Sequence, residues 1–423
     1  MRLKNKKIRF IDLFAGAGGL SEGFVRQGFE AVAHVEMDKA ACNTLRTRTA
    51  YHYLKATGRF DKYIDYLKGN ITRSELYSFL PDNLRRSVIN SAIGNENNQM
   101  IFERIDEVNA GKKIDLIIGG PPCQAYSLIG RAADKNKMKD DERNYLYVQY
   151  GEYIKKYQPK YFVFENVTGL YSAKDKDGNR YLDKLIELYR ELGYETEYTT
   201  LNAADFGILQ QRKRVILIGK KGKKKGFYPE FLKQPKMVSV NEIFNGLPKL
   251  KAGEGSMGIT YYSTCKTSNY LIEKKIINGL YFTTHHIARP QNEQDKEIYR
   301  CAINKWHEKG ERLNYNDLEN RLQTHKNRHS FIDRFKVVAP NLMASQTIVA
   351  HIAKDGHYYI HPDIEQNRSL SVREAARLQS FPDDFYFEGE YENPSRTAAF
   401  KQIGNAVPVI LAEEIAVRMK EFY

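Results

Sequence analysis

Residues 10–20 read FIDLFAGAGGL, an apolar run of strand character that enters a turn holding Gly16, Gly18 and Gly19 and continues into an amphipathic stretch through Gln27. A strand that ends in glycines and opens a helix lets a ligand approach bare backbone at the helix N-terminus. The spacing departs from the dinucleotide fingerprint, because Gly-x-Gly-x-x-Gly counted from Gly16 would require glycine where Ser21 stands. The next apolar run, 31–36, ends at Glu36, 20 residues beyond Gly16, where a Rossmann-like fold sets an acid against ribose hydroxyls. The pair disfavours NAD and suits a nucleoside without pyrophosphate. Read singly, the turn is also compatible with a tight connection, and Glu36 with an acid capping the helix ahead of Asp38.

Outward from this stretch, apolar runs at 8–14, 31–36, 114–119, 160–165 and 214–219 alternate with amphipathic segments. That alternation predicts an α/β fold, a parallel sheet covered by helices. Ligands of such sheets bind at the carboxyl ends of the strands, so the residues just past each run are the candidates for chemistry. Behind 114–119 comes GGPPCQAYS (119–127), whose two prolines stiffen a loop presenting Cys123. A thiolate is a nucleophile in a partly open, electropositive cleft, although a cysteine by itself is more often inert packing. A Pro-Pro-aromatic sequence would suit methylation of an exocyclic amine by stacking on the base; here the third place holds a thiol. YFVFENV (161–167) delivers Glu165 and Asn166, and a carboxyl group there can hydrogen-bond a ring nitrogen or donate a proton, or simply cap the strand. In QRKR (211–214), Arg212 and Arg214 alternate with Lys213 and point to one face, suited to a carboxylate, a base oxygen or phosphate.

The 423 residues allow two domains. Lys and Arg number 66 against 52 Asp and Glu, a formal charge of +14, which favours a polyanionic partner. Residues 220–345 hold 23 basic and 12 acidic side chains, so +11 lies in that segment; the same count would also describe a lysine-rich solvated surface. The four cysteines Cys42, Cys123, Cys265 and Cys301 form no Cys-x-x-Cys pair, and no metal site is expected. His285, His286, His325 and His329 are read as surface or packing residues. No apolar stretch approaches the ~20 residues that span a bilayer, so a cytoplasmic protein with no membrane partner is expected.

Helical segments at 60–67 and 100–108 flank the polar stretch 90–99, and 51–112 reads as a surface insertion. Lys220, Lys221, Lys223, Lys224 and Lys225 form a basic linker that marks a domain boundary, and late helices are expected at 371–379 and 408–422.

Taken together, the motifs resemble those of the C5-cytosine DNA methyltransferase family of bacterial type. DLFAGAGG (12–19) looks like its S-adenosylmethionine loop, PPCQ (121–124) its nucleophile loop, ENV (165–167) its glutamate strand and QRKR its paired-arginine motif. REAARLQSFPD (373–383) is similar to the helix that organises the target-recognition domain, and QIGNAVP (402–408) to the segment that completes the cofactor pocket, all in the family's order. The resemblance implies a Rossmann-like S-adenosylmethionine-dependent methyltransferase fold with a smaller, mixed target-recognition domain. Residues 1–222, completed by 392–423, would form the catalytic, cofactor-binding domain, 223–366 the basic target-recognition domain and 367–391 a hinge helix segment. Phe14, Ala15, Gly16, Gly18, Gly19, Glu36, Met37, Asn70, Pro122, Leu146, Asn405 and Ala406 would line the S-adenosyl-L-methionine site, while Cys123, Glu165, Arg212 and Arg214 would surround a cytosine flipped from double-stranded DNA.

The implied reaction is methyl transfer to C5 through a Cys123 adduct. The resemblance is compatible with two settings, a restriction endonuclease acting on the same site, not a stable subunit, as functional partner, or an orphan modifier without one. Two departures stand out: Asn70 in GNIT (69–72) occupies a place where the family commonly has an aspartate, and Leu209 replaces a frequent proline. The stretch 73–112 has no clear counterpart. Rival readings are an RNA cytosine C5-methyltransferase of the same fold, which usually carries Cys-Phe-Thr, and a non-catalytic DNA-binding relative; no cysteine here precedes phenylalanine, and both the thiol and the glycine loop are present.

Overall fold

The apolar runs become strands β1 (Arg9–Leu13), β2 (Glu30–Glu36), β3 (Val88–Asn90), β4 (Leu116–Gly119), β5 (Tyr161–Asn166), β6 (Tyr194–Asn202) and β7 (Lys213–Lys221), joined in one sheet ordered β3-β2-β1-β4-β5-β7-β6. The computed structural model describes residues 7–122, 145–234, 238–263, 268–325 and 328–423. Strands buried on both faces read as near-continuous apolar runs, and successive residues enter opposite cores. Ile11, Ile117, Phe162, Phe164 and Leu217 join one core with the helices Asn98–Asn109, Leu146–Tyr157 and Tyr181–Glu191. Phe10, Leu116, Ile118, Val163, Ile216 and Ile218 join the other, under the helices Gly19–Arg26 and Val409–Lys420.

Two features of the sheet differ from the sequence expectation. It is not wholly parallel: β7 runs antiparallel to both β5 and β6. The strands β3 and β6 also lie outside the five apolar runs. β3 has only three residues, too few to display a period, and β6 (YETEYTTLN) lies at a sheet edge with Tyr194, Tyr198 and Leu201 as its apolar side chains, too sparse to read as a run. β3 pairs in parallel with β2, and Ile89, Ile101 and Ile105 are fully buried in the first core. Residues 88–109 therefore belong to the frame, and only the part before them projects from it.

That projecting part contains the helices Phe60–Leu67 and Arg73–Ser78, the second started by a capping box between Thr72 and Glu75. It braces the helix Lys39–Ala56 against residues 384–391. The Tyr63 hydroxyl donates to the Asp384 carbonyl at 2.7 Å, Tyr66 to Glu388 at 2.5 Å, and Arg73 to the carbonyls of Gly389 and Tyr391 at 3.2 and 3.0 Å.

After β7 the chain forms an antiparallel pair, β8 (Gly255–Tyr261) with β9 (Phe282–Ile287), and the helix Glu293–Lys309. The helix Val372–Leu378 is buried along its whole length. Its polar side chains are all engaged: Arg373 donates to carbonyls of Thr284, Pro382 and Phe385, Glu374 takes two 2.7 Å hydrogen bonds from Arg368, and Arg377 pairs with Asp383 at 2.5 Å. His285 and His286, expected at the surface or in packing, are wholly buried; burial holds the first down at about 3 and lowers the second, so both stay neutral.

Candidate active site and its relatives

At the carboxyl end of β1, Phe14 and Gly16 take left-handed backbone angles, φ 56° and 54°. A bulky residue in that region is strained by ~1–3 kcal/mol. Gly16 turns its N–H onto Glu36 Oε2 at 2.8 Å, while the Asp38 N–H holds the other carboxylate oxygen at 2.8 Å. The Glu36 carboxylate is thus fixed between the carboxyl ends of β1 and β2, with lone pairs left for further donors. Burial pushes its pKa up, against the lowering effect of those two N–H groups.

The glycines divide by task. A Cβ on Gly16 would meet nothing within 4 Å, so its outer side is open. A Cβ on Gly19 would lie 2.3 Å from the Val407 carbonyl and 3.2 Å from the Ala406 side chain, so Gly19 is demanded by close packing of the 406–407 turn. Gly18 starts the helix, and Ala15 donates its N–H to the Val35 carbonyl at 3.1 Å. Ala406 is buried and the neighbouring Asn405 exposed. Met37 is 69% exposed beside Glu36, an apolar surface with no cover of its own. An acid fixed by backbone donors, an uncovered thioether and a bare glycine make a cradle that fits the adenosine end of S-adenosylmethionine.

Asn70 does not join this group. It follows the helix Phe60–Leu67, is exposed, and its side chain contacts Asp65 on that helix. Asn90, at the end of β3 and in register with Glu36, stands there instead; its amide donates to the carbonyls of Glu36 and Met37 at 3.2 and 2.9 Å. The sequence signal was present in SVIN (87–90), an apolar pair closing on a polar residue as the other strands do.

The second half of the site lies at the carboxyl ends of β4 and β5. Glu165 reaches over Gly120, where a Cβ would come within 2.6 Å of Glu165 Oε2, and Asn166 donates to the Pro121 carbonyl at 3.4 Å. Because β7 is antiparallel, its first residues reach this same edge, and Arg214 Nε pairs with Glu165 Oε1 at 2.7 Å.

Arg212 points elsewhere. It is 1% exposed and donates to the carbonyls of Ile348 and Gly404 at 2.6 and 3.1 Å. Burial, followed by the neighbouring Arg214, pushes its pKa well below the usual arginine range. Gln210 extends the same tie, to the Leu378 carbonyl and the Gln379 side chain.

Pro122 is exposed, two residues past Gly120, and Leu146 is half-buried at the start of its helix. Cys123 lies outside the described residues, as does Cys265. Of the two described thiols, Cys42 is pushed up to about 12 by burial and donates to the Glu36 carbonyl, and Cys301 is also raised by burial; neither favours thiolate. Among the described residues no cluster of His, Cys, Asp or Glu could hold a metal ion, and no described helix is long and apolar enough to cross a membrane.

An α/β sheet with a nucleoside cradle, and a carboxylate–arginine pair at the neighbouring strand ends, is the frame of a protein that takes a nucleoside cofactor. The chain belongs to the C-5 cytosine-specific DNA methylase family, whose sequence pattern matches residues 8–63 and 90–421. It is 41% identical to the type II methyltransferase M.Bpa9945I of Bacillus paralicheniformis over 97% of this chain and 98% of that one. It is 30% identical to the type II methyltransferase M1.HphI of Haemophilus parahaemolyticus, covering 97% and 86%. The fold matches a crystal structure of a prophage-encoded DNA modification methyltransferase from E. coli with a TM-score of 0.62 at 23% identity, over 98% of this chain and 99% of the other. The protein is a DNA cytosine-5 methyltransferase with DNA as substrate and S-adenosylmethionine as cofactor. The unmatched stretch, 64–89, contains Asn70, and the match resumes at Asn90.

Proposed function

We propose that the enzyme rotates a cytosine out of duplex DNA and attacks it through Cys123, with Glu165 and Arg214 forming the wall of the base pocket. The observation that carries this reading is the Glu165–Arg214 pair seated over Gly120, three residues ahead of Cys123 in the chain. Cytosine C5 is shielded in the stack, and extruding the base costs a few kcal/mol. Cys123 thiolate forms a bond to C6, which moves electron density onto C5 while a proton passed through Glu165 goes to N3 and the exocyclic amine donates to the same carboxyl group. S-adenosylmethionine, when bound, supplies an electrophilic methyl group, and Gly16, Glu36, Met37 and Asn90 would hold it by its nucleoside end. After C5 is methylated, transfer of its proton to water, return of the N3 proton through Glu165 and cleavage of the bond to Cys123 restore the aromatic ring and the thiolate. Arg214 orients Glu165 and offers its remaining N–H groups to the base oxygen; Arg212 anchors the start of β7 from behind.

The proposed division of labour follows the chain. Residues 1–222 with 392–423 perform the chemistry, 223–366 hold and read the DNA, and 367–391 join the two. Type II methyltransferases among the relatives support a setting in the cytoplasm in which methylation protects a site from an endonuclease. Cys123→Ser is expected to abolish methyl transfer while leaving DNA binding, measured by tritium incorporation and by gel shift; retained transfer would sink the mechanism. Bisulfite sequencing of DNA from cells producing the protein should show 5-methylcytosine at one recurrent sequence.

A further inference from the structure

The sheet edge opposite the site gathers lysines from distant parts of the chain. β1, β4 and β5 begin at that edge and β7 ends there, with Tyr161 in register with Lys220 and Tyr194 with Lys221. Lys7 precedes β1, Lys112 and Lys113 precede β4, Lys160 precedes β5, and Lys223, Lys224 and Lys225 follow β7; all of these and Lys221 are exposed. Arg9 is paired with Glu30 at 3.1 Å and Lys225 with Glu195 at 3.9 Å. Among the described residues, Lys7, Lys112, Lys113, Lys221, Lys223 and Lys224 make no ion pair. The edge is also concave: a hollow of about 420 Å³ is lined by Lys7, Arg9, Glu30, Lys112 and Lys113. Beside it, Tyr161 and Phe422 stack at 5.0 Å, and Lys160 and Lys220 lie near the Tyr161 ring.

We propose that this edge is a second duplex-binding surface, which holds the phosphate backbone of DNA away from the cytosine being methylated. The inference goes beyond the methylation reading and rests on it only in taking DNA as the polyanion. A solvated lysine face scatters its charges among acids; here the unpaired cations share one strip. β1 to β7 spans three strand spacings, about 15 Å at ~4.8 Å each, a length over which the two strands of a duplex carry roughly nine phosphate charges, about one per 1.7 Å, with only those on the near side facing the strip. Such crowding repels itself until an anion covers it. Among the described residues of the strip, the cations left without an ion pair are all lysines, Arg9 being paired with Glu30, which suits positioning on phosphates rather than reading bases. The six residues of β5 span about 20 Å at ~3.3 Å each, so a straight duplex lying at the catalytic edge does not reach the opposite one. The surface must therefore take a second segment, from the same long molecule or another.

The test compares an unmodified plasmid with the same plasmid cut into short fragments, so that target sites and their number are equal. The variant combines Lys112→Gln, Lys113→Gln, Lys221→Gln, Lys223→Gln and Lys224→Gln, all distant from the catalytic residues. The wild-type enzyme is expected to methylate the intact plasmid with a several-fold higher kcat/KM than the fragments. The variant should keep the fragment rate and lose the preference. The slope of log binding constant against log salt, measured on intact plasmid, should flatten by about 0.9 for each phosphate that the variant no longer neutralises. An unchanged preference together with an unchanged salt slope overturns the proposal, and loss of RNA binding without loss of duplex binding overturns it in favour of an RNA partner. Failure of the wild type to methylate either substrate would count against the catalytic reading, while the salt slope would still judge the surface.

Discussion

Glu36 carries two structural N–H donors and has room for a third partner, which makes the ionised carboxylate the form able to receive ribose hydroxyls. Burial raises its pKa above the ordinary value of 4.5. For an acid so raised, the folded protein binds its proton more readily than the unfolded chain, and the charged form appears only as pH climbs through the elevated value. S-adenosylmethionine affinity is therefore expected to rise with pH across a mildly acidic window lying above the usual carboxylate range. Glu36→Gln should bind weakly and show a flat profile by calorimetric titration; the same pH dependence in the variant would remove Glu36 from the cradle. At this scale the structure brings some of the motif residues together and sends others elsewhere. Glu165 and Arg214 meet as expected, whereas Arg212, one alternation away, is drawn inward by two backbone carbonyls. Nothing in QRKR distinguishes the two arginines; only the neighbours at Ile348 and Gly404, more than a hundred residues on, do so.

The helix Val372–Leu378 shows how far composition misleads about an element. Its Arg, Glu and Arg suggest a solvated face, yet all its residues are buried. Burial by itself would raise the pKa of Glu374, but the bidentate Arg368 outweighs it and holds the carboxyl far below its usual range. An acid so depressed stabilises the fold at neutral pH, and the contribution is lost only as pH falls through the depressed value. Glu374→Ala is expected to cost ~3–5 kcal/mol, since it strands a buried guanidinium and opens the capping box with Ser371. Urea denaturation at neutral pH would measure it; a change near zero would show that Arg368 finds another acceptor. The strand β7 makes a similar point. Its apolar run was legible, but its direction was not, and direction places Arg214 beside Glu165 instead of at the far edge.

Across the whole molecule the two ends of the chain depend on one another. The helix Val409–Lys420 buries Ile410, Leu411, Ile415 and Met419 against the helix that follows the glycine turn. At about 1.5–3 kcal/mol per buried side chain, these four approach the total stability of a domain, about 5–15 kcal/mol. A chain ending at residue 405 is expected to lack cooperative unfolding and to lose S-adenosylmethionine binding together, as read by calorimetry; a folded, binding-competent truncation would contradict this.

The sequence by itself determined the α/β class, the five longest apolar strands of the sheet and the family, because each depends on local apolar periodicity or on short ordered motifs. It did not determine the place of Asn90, the inward turn of Arg212 or the burial of 371–380. It was also silent on the gathering of lysines from 7, 112–113, 160 and 221–225 at one edge. Each of these is a meeting of segments far apart along the chain, and such meetings are set by strand order and direction, which short-range patterns do not encode.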